Sequence, residues 1–174
     1  PEVAAWVAWR RVWLAAADGG KSHAWFLPHD AGPVAVLFHG NGGNISHRLD
    51  KARALRGMGY AVLIFDYRGY GKSPGRPSER GLYADGEAAA MEALRRAGGD
   101  PRRVAYYGES LGCAVALETA LRRPPGALVL DSPFTSTVAM GKLVFPRLPV
   151  DRMVRQRYDN LAKVGRLKAP LLVL

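Results

Sequence analysis

Apolar residues in this chain fall in short continuous runs rather than in alternation. Val34 to Phe38, Ala61 to Phe65, Val104 to Tyr107 and Ala127 to Leu130 each read as a strand buried on both faces, and Leu171 to Leu174 repeats the signature. Between them lie stretches with helix punctuation. Ser46 is read as the N-cap of a helix through Arg56, with Gly57 near its end. Glu79 to Ala97 spaces Leu82, Ala89 and Leu94 as a helix does and stops at Gly98-Gly99-Asp100-Pro101. Leu111 to Arg122 is rich in alanine and leucine and closes at Pro124-Pro125. Strands alternating with helices predict an α/β fold, a mostly parallel central sheet with helices on both faces. Ahead of it, Arg11 to Ala16 and Ser22 to Pro28 flank Asp18-Gly19-Gly20, which predicts an N-terminal antiparallel hairpin at one sheet edge. In such sheets ligands bind at the carboxyl ends of the strands, here just after Phe38, Phe65, Tyr107 and Leu130.

The pattern changes after Leu130. Residues 134–160 hold scattered apolar residues, prolines and many arginines, and read as a small cap-like excursion over that rim before a last helix, Asn160 to Leu167. At 174 residues the chain fits one domain, and 48% hydrophobic with 23% charged residues is an ordinary globular composition. The lone cysteine, Cys113, excludes an internal disulfide framework and a cysteine-rich zinc site; it fits a reducing compartment, so a cytoplasmic or membrane-associated setting is expected ahead of a secreted one. The apolar start, Val3 to Ala17, is broken by Arg10 and Arg11 and is shorter than the roughly 18 apolar residues of a membrane span. The sequence begins at Pro1, so its start is silent about a leader or anchor.

A net charge of +10 raises the question of nucleic acid. The charge is concentrated elsewhere than in a nucleic-acid motif. Eight basic residues stand against Asp151 and Asp159 between Lys142 and Lys168, and the rest are mostly arginine pairs at element edges. No zinc-finger spacing or aromatic–basic RNA signature accompanies them, so no nucleic-acid partner is expected. Two readings of the 142–168 segment stay open: solvated arginine, or peripheral attraction to an anionic membrane surface or acidic substrate.

The chemistry concentrates at Gly108-Glu109-Ser110-Leu111-Gly112, a G-x-S-x-G sequence that follows a predicted strand and opens a predicted helix. In that context Ser110 is the expected nucleophile on a sharp strained turn, with glycines where side chains would strike the neighbouring strand and helix. An oxyanion needs donors. The Leu111 N–H is one, and the glycine-rich His39-Gly40-Asn41-Gly42-Gly43-Asn44 after the preceding central strand supplies the other, with Asn41 N–H nominated and Gly42 as fallback. His39, at a buried strand end, reads as structural. Glu109 is expected to pair with a nearby positive charge, Asp66 and Arg68 to fix a rim loop, and Cys113 to pack in the core.

HGNGGN at 39–44, FDYRGYGKSPG at 65–75, GESLG at 108–112 and DSPFTS at 131–136 occur in that order. Together they resemble the abhydrolase-domain and serine-aminopeptidase-like esterase branch of the α/β-hydrolase superfamily, over about Val12 to Leu174. The resemblance implies a serine hydrolase acting through an acyl-enzyme on an ester, thioester or amide of a small-molecule or acyl substrate, without a cofactor. It also implies that the last strands, the triad aspartate and the histidine follow Leu174. The histidines at 23, 29, 39 and 47 all precede Ser110, whereas the fold's order is serine, acid, histidine. Asp131, at a strand end, is a weaker stand-in for the acid. Without an assignable base the 174 residues alone are expected to be inactive or nearly so. A catalytically silent, hydrolase-like binding or scaffold protein is the alternative.

Two decoys fail. Gly71-Lys72-Ser73 ends like a phosphate-binding P-loop, but Asp66 stands where its first glycine belongs; Gly40-Asn41-Gly42 starts like a dinucleotide fingerprint, but Ile45 occupies the third glycine position. No histidine spacing suits a metal either, so no metal or cofactor site is expected.

Overall fold

The computed structural model describes residues 8–174, so the first part of the apolar Val3 to Ala17 stretch lies outside the described residues. The strands are β1 (Arg10–Ala15), β2 (Lys21–Leu27), β3 (Val34–Phe38), β4 (Ala61–Phe65), β5 (Val104–Glu109), β6 (Ala127–Asp131) and β7 (Leu171–Val173). Helices are α1 (Leu49–Gly57), α2 (Glu79–Arg96), α3 (Leu111–Arg122), α4 (Thr137–Val144), α5 (Val150–Met153) and α6 (Leu161–Val164). One sheet runs in the order β1-β2-β4-β3-β5-β6-β7. β1 pairs antiparallel with β2, and β2 antiparallel with β4; every other neighbouring pair is parallel. This is the α/β architecture with an N-terminal antiparallel pair that the pattern predicts.

Both faces of the sheet are covered, which is why β3 and β4 are apolar at every position. On one face Val36, Phe38, Leu63, Phe65 and Tyr106 pack against Leu82 and Ala89 of α2 and Val115 of α3. On the other, Leu37, Val62 and Ile64 meet Ala52 of α1 and Ile45. The start of α1 differs from expectation. Asn44, not Ser46, is the cap: its Oδ1 accepts from Ser46 N at 2.9 Å and opens a one-turn 3-10 helix, Ile45–Arg48, and α1 follows. The last helix is also shorter than 160–167, because Gly165 ends it after one turn.

From β3 the chain crosses to β4 on one side, then through α2 to β5 on the other. The strand order therefore reverses at β3, and a crevice opens between the carboxyl ends of β3 and β5. Two polar clusters brace the adjoining rim. Arg68, just past β4, reaches the fully buried Asp85 of α2 with Nη2 at 2.7 Å and Asp18 of the β1–β2 turn with Nη1 at 2.7 Å. One guanidinium thus ties hairpin, rim loop and helix, and its hydrogen bonds hold the Asp18 carboxyl down at about 2. The second centres on Asp66, which is buried between His23 and His39 at 3.8 and 3.6 Å and accepts from Ile45 N at 2.9 Å.

The rim loop closes over that carboxylate. A Cβ at position 71 would come 2.0 Å from Asp66 Oδ2, so Gly71 is required there, and Ser73 Oγ donates to the Asp66 carbonyl at 2.7 Å. The residues that mimic a phosphate loop enclose an acid. Burial raises the Asp66 carboxyl and lowers the His39 imidazole to about 4.

Removing Asp85 takes away the buried half of the Arg68 clamp and leaves only its exposed Asp18 partner. Asp85→Ala is expected to lower unfolding stability by about 3 kcal/mol in urea titration; a loss under about 1 kcal/mol would mean the clamp is not structural. Acid should act through His39. Below its ordinary value of 6.5 the unfolded imidazole takes a proton, whereas the folded one does so only near 4. Stability should therefore fall as pH drops from about 6.5 to about 4, by roughly 3 kcal/mol. In His39→Gln that slope should shrink by His39's share. Equal slopes in the two proteins would contradict a neutral buried His39.

Candidate active site

Ser110 stands between β5 and α3 with φ 51° and ψ −112°, a left-handed conformation that a non-glycine residue adopts only when its surroundings force it. The forcing contacts are visible at the flanking glycines. A Cβ at 112 would lie 2.0 Å from the Phe38 carbonyl oxygen, and one at 108 would lie 2.7 Å from the Gly112 oxygen. α3 must therefore start pressed against the end of β3, and the chain has one residue in which to turn. Ser110 N–H donates to the Asp131 carbonyl at 3.0 Å, and its own carbonyl accepts from Cys113 N at 2.9 Å. The hydroxyl stays exposed and makes no hydrogen bond among the described residues.

Register then brings the glycine-rich loop alongside. Phe38 pairs with Gly108, and two residues on, a Cβ at Gly40 would stand 3.5 Å from Ser110 Cβ. Asn41, Ser110 and Leu111 line one cleft of about 390 Å³, together with Tyr70, Leu82 and, from the segment after β6, Phe134, Thr137, Met140 and Tyr158. Leu111 is the first residue of α3, so its N–H has no intrahelical acceptor, and α3's dipole favours negative charge at that end. Asn41 is exposed, and its Oδ1 accepts from the Tyr70 hydroxyl.

Side chains that the sequence alone did not single out hold this loop. Arg48 Nη2 donates to the Gly42 carbonyl at 2.9 Å, and its Nε lies 3.6 Å from Glu109 Oε2. Lys51 of α1 bridges Glu109 at 2.9 Å and Asp131 at 2.6 Å, and the Tyr107 hydroxyl donates to the same Asp131 oxygen at 2.6 Å. Lys51 and Tyr107 hold the Asp131 carboxyl near 2, and the two acids in turn raise the Lys51 amine despite its partial burial. Glu109 therefore faces positive charge, and Asp131 is committed to a lysine and a tyrosine rather than to any histidine. The separations of these residues in sequence, 80 positions for Lys51 and Asp131, explain why no local signal points to them.

His39 turns away from the serine. Its Nδ1 donates to the Gly40 carbonyl at 2.7 Å, and its Nε2 points toward Asp66. His47 accepts from Asn44 N at 3.2 Å in the cap of the 3-10 turn. Among the described residues no histidine lines the cleft or hydrogen-bonds Ser110. Cys113 is buried, donating to the Gly108 and Asp131 carbonyls at 3.2 Å, and burial pushes its thiol up to about 12. No group of three or more potential metal ligands occurs among the described residues.

Comparison with known proteins agrees with this fold. The family model described as alpha/beta hydrolase fold matches residues 33–168. An uncharacterized Mycobacterium tuberculosis protein is 45% identical over 170 residues, covering 96% of this chain and 60% of the relative. The lysophosphatidylserine lipase ABHD12 of Gallus gallus is 41% identical over 126 residues, 67% of this chain and 32% of that protein. Among solved structures, an acetyl xylan esterase from Paenibacillus sp. R4 superposes with a TM-score of 0.77 at 23% identity, over 98% of this chain and 69% of that one. The chain spans about 60% of the length of the M. tuberculosis relative. With its strained serine between β5 and α3 and most of its length matched by the family model, the chain belongs to the α/β hydrolase fold family.

Proposed function

We propose that the protein is a serine hydrolase that cleaves an ester, thioester or amide through an acyl-enzyme on Ser110. The observation that carries this reading is the strained φ of 51° at a serine whose exposed hydroxyl shares a cleft with Asn41 and Leu111. Strain of about 1–3 kcal/mol at a single residue calls for a use, and a binding scaffold has none for it. In the proposed reaction Ser110 Oγ attacks the carbonyl carbon while a general base takes its proton. The tetrahedral oxyanion is held by the Leu111 and Asn41 N–H groups, and the protonated base returns its proton to the leaving group. Water then repeats the sequence on the acyl-enzyme. The base and its orienting acid are assigned to the part of the longer relatives that this chain does not span. The likeness to a lysophosphatidylserine lipase supports an ester among the three bonds.

Arg48, Glu109 and Lys51 have a positioning role in this scheme. Arg48 anchors the glycine-rich loop at the Gly42 carbonyl, two peptide units from the Asn41 N–H, and Glu109, itself held by Lys51, links Arg48 to the elbow.

The natural full-length protein should be labelled by a fluorophosphonate and should turn over short p-nitrophenyl esters. Ser110→Ala is expected to abolish labelling and to cut turnover by about 10³-fold or more. Undiminished labelling of that variant would overturn the assignment, and an unlabelled wild type would favour a silent scaffold. Arg48→Gln should lower kcat by about 10-fold with KM within about threefold, because only the transition state feels a misdirected donor. A change confined to KM would instead place Arg48 in substrate binding.

A further inference from the structure

The segment between β6 and β7 presents an apolar surface that none of the described residues covers. α4 is anchored through Val138, which is buried, and through Gly141, where a Cβ would come 2.6 Å from the Val150 side chain of α5. That contact turns the positions three and four apart from Met140 outward. Met140, Leu143 and Val144 are 47%, 84% and 65% exposed, and Phe145 and Leu148 beyond the helix are 55% and 48% exposed. Such a run of large exposed apolar side chains exceeds the scatter of single residues normal on a surface. Met140 also lines the Ser110 cleft, so the apolar surface begins at the cleft's mouth and continues outward.

The charges of this segment are mostly positive. Lys142 is neutralised by Asp151 at 2.8 Å. Arg147, Arg152 and Arg155 are exposed and make no ion pair among the described residues. Several arginines elsewhere are engaged, Arg95 and Arg96 with Glu92, Arg102 with Asp100, Arg122 with Glu118 and Arg123 with Glu87, while Arg10, Arg11, Arg76 and Arg80 are also exposed without an ion pair among the described residues. What sets the α4–α5 segment apart is that its unpaired Arg147, Arg152 and Arg155 stand in the same stretch as the exposed Leu143, Phe145 and Leu148. A purely solvated arginine surface has no reason to carry Leu143, Phe145 and Leu148 among its charges.

From this coincidence we infer that the α4–α5 segment docks on an anionic lipid surface, with Leu143, Phe145 and Leu148 entering the headgroup region and Arg147, Arg152 and Arg155 meeting lipid phosphates. Interfacial docking needs apolar area and basic charge together, and one without the other gives only marginal binding. The docked orientation sets the mouth of the cleft at the membrane, where Met140 continues the apolar path toward Ser110. The inference deepens the proposed serine-hydrolase site, but the docking surface and the serine can be tested apart.

The test is co-sedimentation of the full-length protein with vesicles of phosphatidylcholine alone or mixed with phosphatidylglycerol. Binding should require the anionic lipid and fall steeply between about 0.1 M and about 1 M salt. The triple variant Arg147→Gln/Arg152→Gln/Arg155→Gln should bind about 100-fold more weakly. Leu143→Ser/Phe145→Ser/Leu148→Ser should lose about 10-fold or more, while both variants retain turnover of a soluble short-chain ester. Ser110→Ala should bind as wild type does, so loss of the hydrolase reading would leave this result intact. Equal binding by wild type and both triple variants would overturn the inference. So would salt-independent binding, or a patch found by sedimentation velocity to be covered by a second copy of the chain.

Discussion

The structure depends on one close approach, between the carbonyl of Phe38 at the end of β3 and the backbone of Gly112 in the first turn of α3. A methyl carbon at residue 112 would sit 2.0 Å from that oxygen, so the helix can follow β5 only if position 112 has no side chain. With the helix held there, the chain must reverse within a single residue, and Ser110 absorbs the reversal in a left-handed conformation. The parallel register of Phe38 with Gly108 then sets the glycine-rich loop beside the serine. Strand pairing, glycine placement and backbone strain are one arrangement seen at three levels.

Around that contact the protein distributes charge in two unlike ways. Inside the rim, Asp66 lies buried against two histidines that burial keeps neutral, and its loop closes over it with glycine and serine. The result is a buried brace between β2, the end of β3 and the rim loop rather than an acid–base pair in the cleft. On the α1 side, Arg48, Lys51, Glu109 and Asp131 alternate in sign and link the loop, the elbow and the end of β6. These groups are partly exposed, so their value lies in direction more than in stability. Arg48 holds the Gly42 carbonyl, two peptide units along the loop from the proposed Asn41 donor.

Much of this was legible in the residue order. β3, β4 and α3 begin and end where the apolar runs and the closing prolines place them, because an unbroken run of five apolar residues has few homes besides a doubly covered strand. The G-x-S-x-G pattern located the bend because its glycines are a steric necessity. What escaped was non-local. The cap of the first crossover fell to Asn44 rather than Ser46, since the 3-10 turn allowed Asn44 and His47 to satisfy each other's backbone. The links from Lys51 to Asp131 and from Arg68 to Asp85 depend on which elements meet in space. The clustering of basic residues at 142–168 was visible, but the exposed leucines and phenylalanine among them were seen only once α4 showed which face it buries.

The central claim is geometric: one hydroxyl projects from a strained bend toward two main-chain donors. A crystal structure of the full-length protein inactivated by an alkyl phosphonate tests it most directly. The account predicts phosphorus on Ser110 Oγ, with the phosphoryl oxygen about 2.7–3.1 Å from both the Leu111 and Asn41 nitrogens. Phosphorus on another residue, or a phosphoryl oxygen turned away from those two amides, would contradict it.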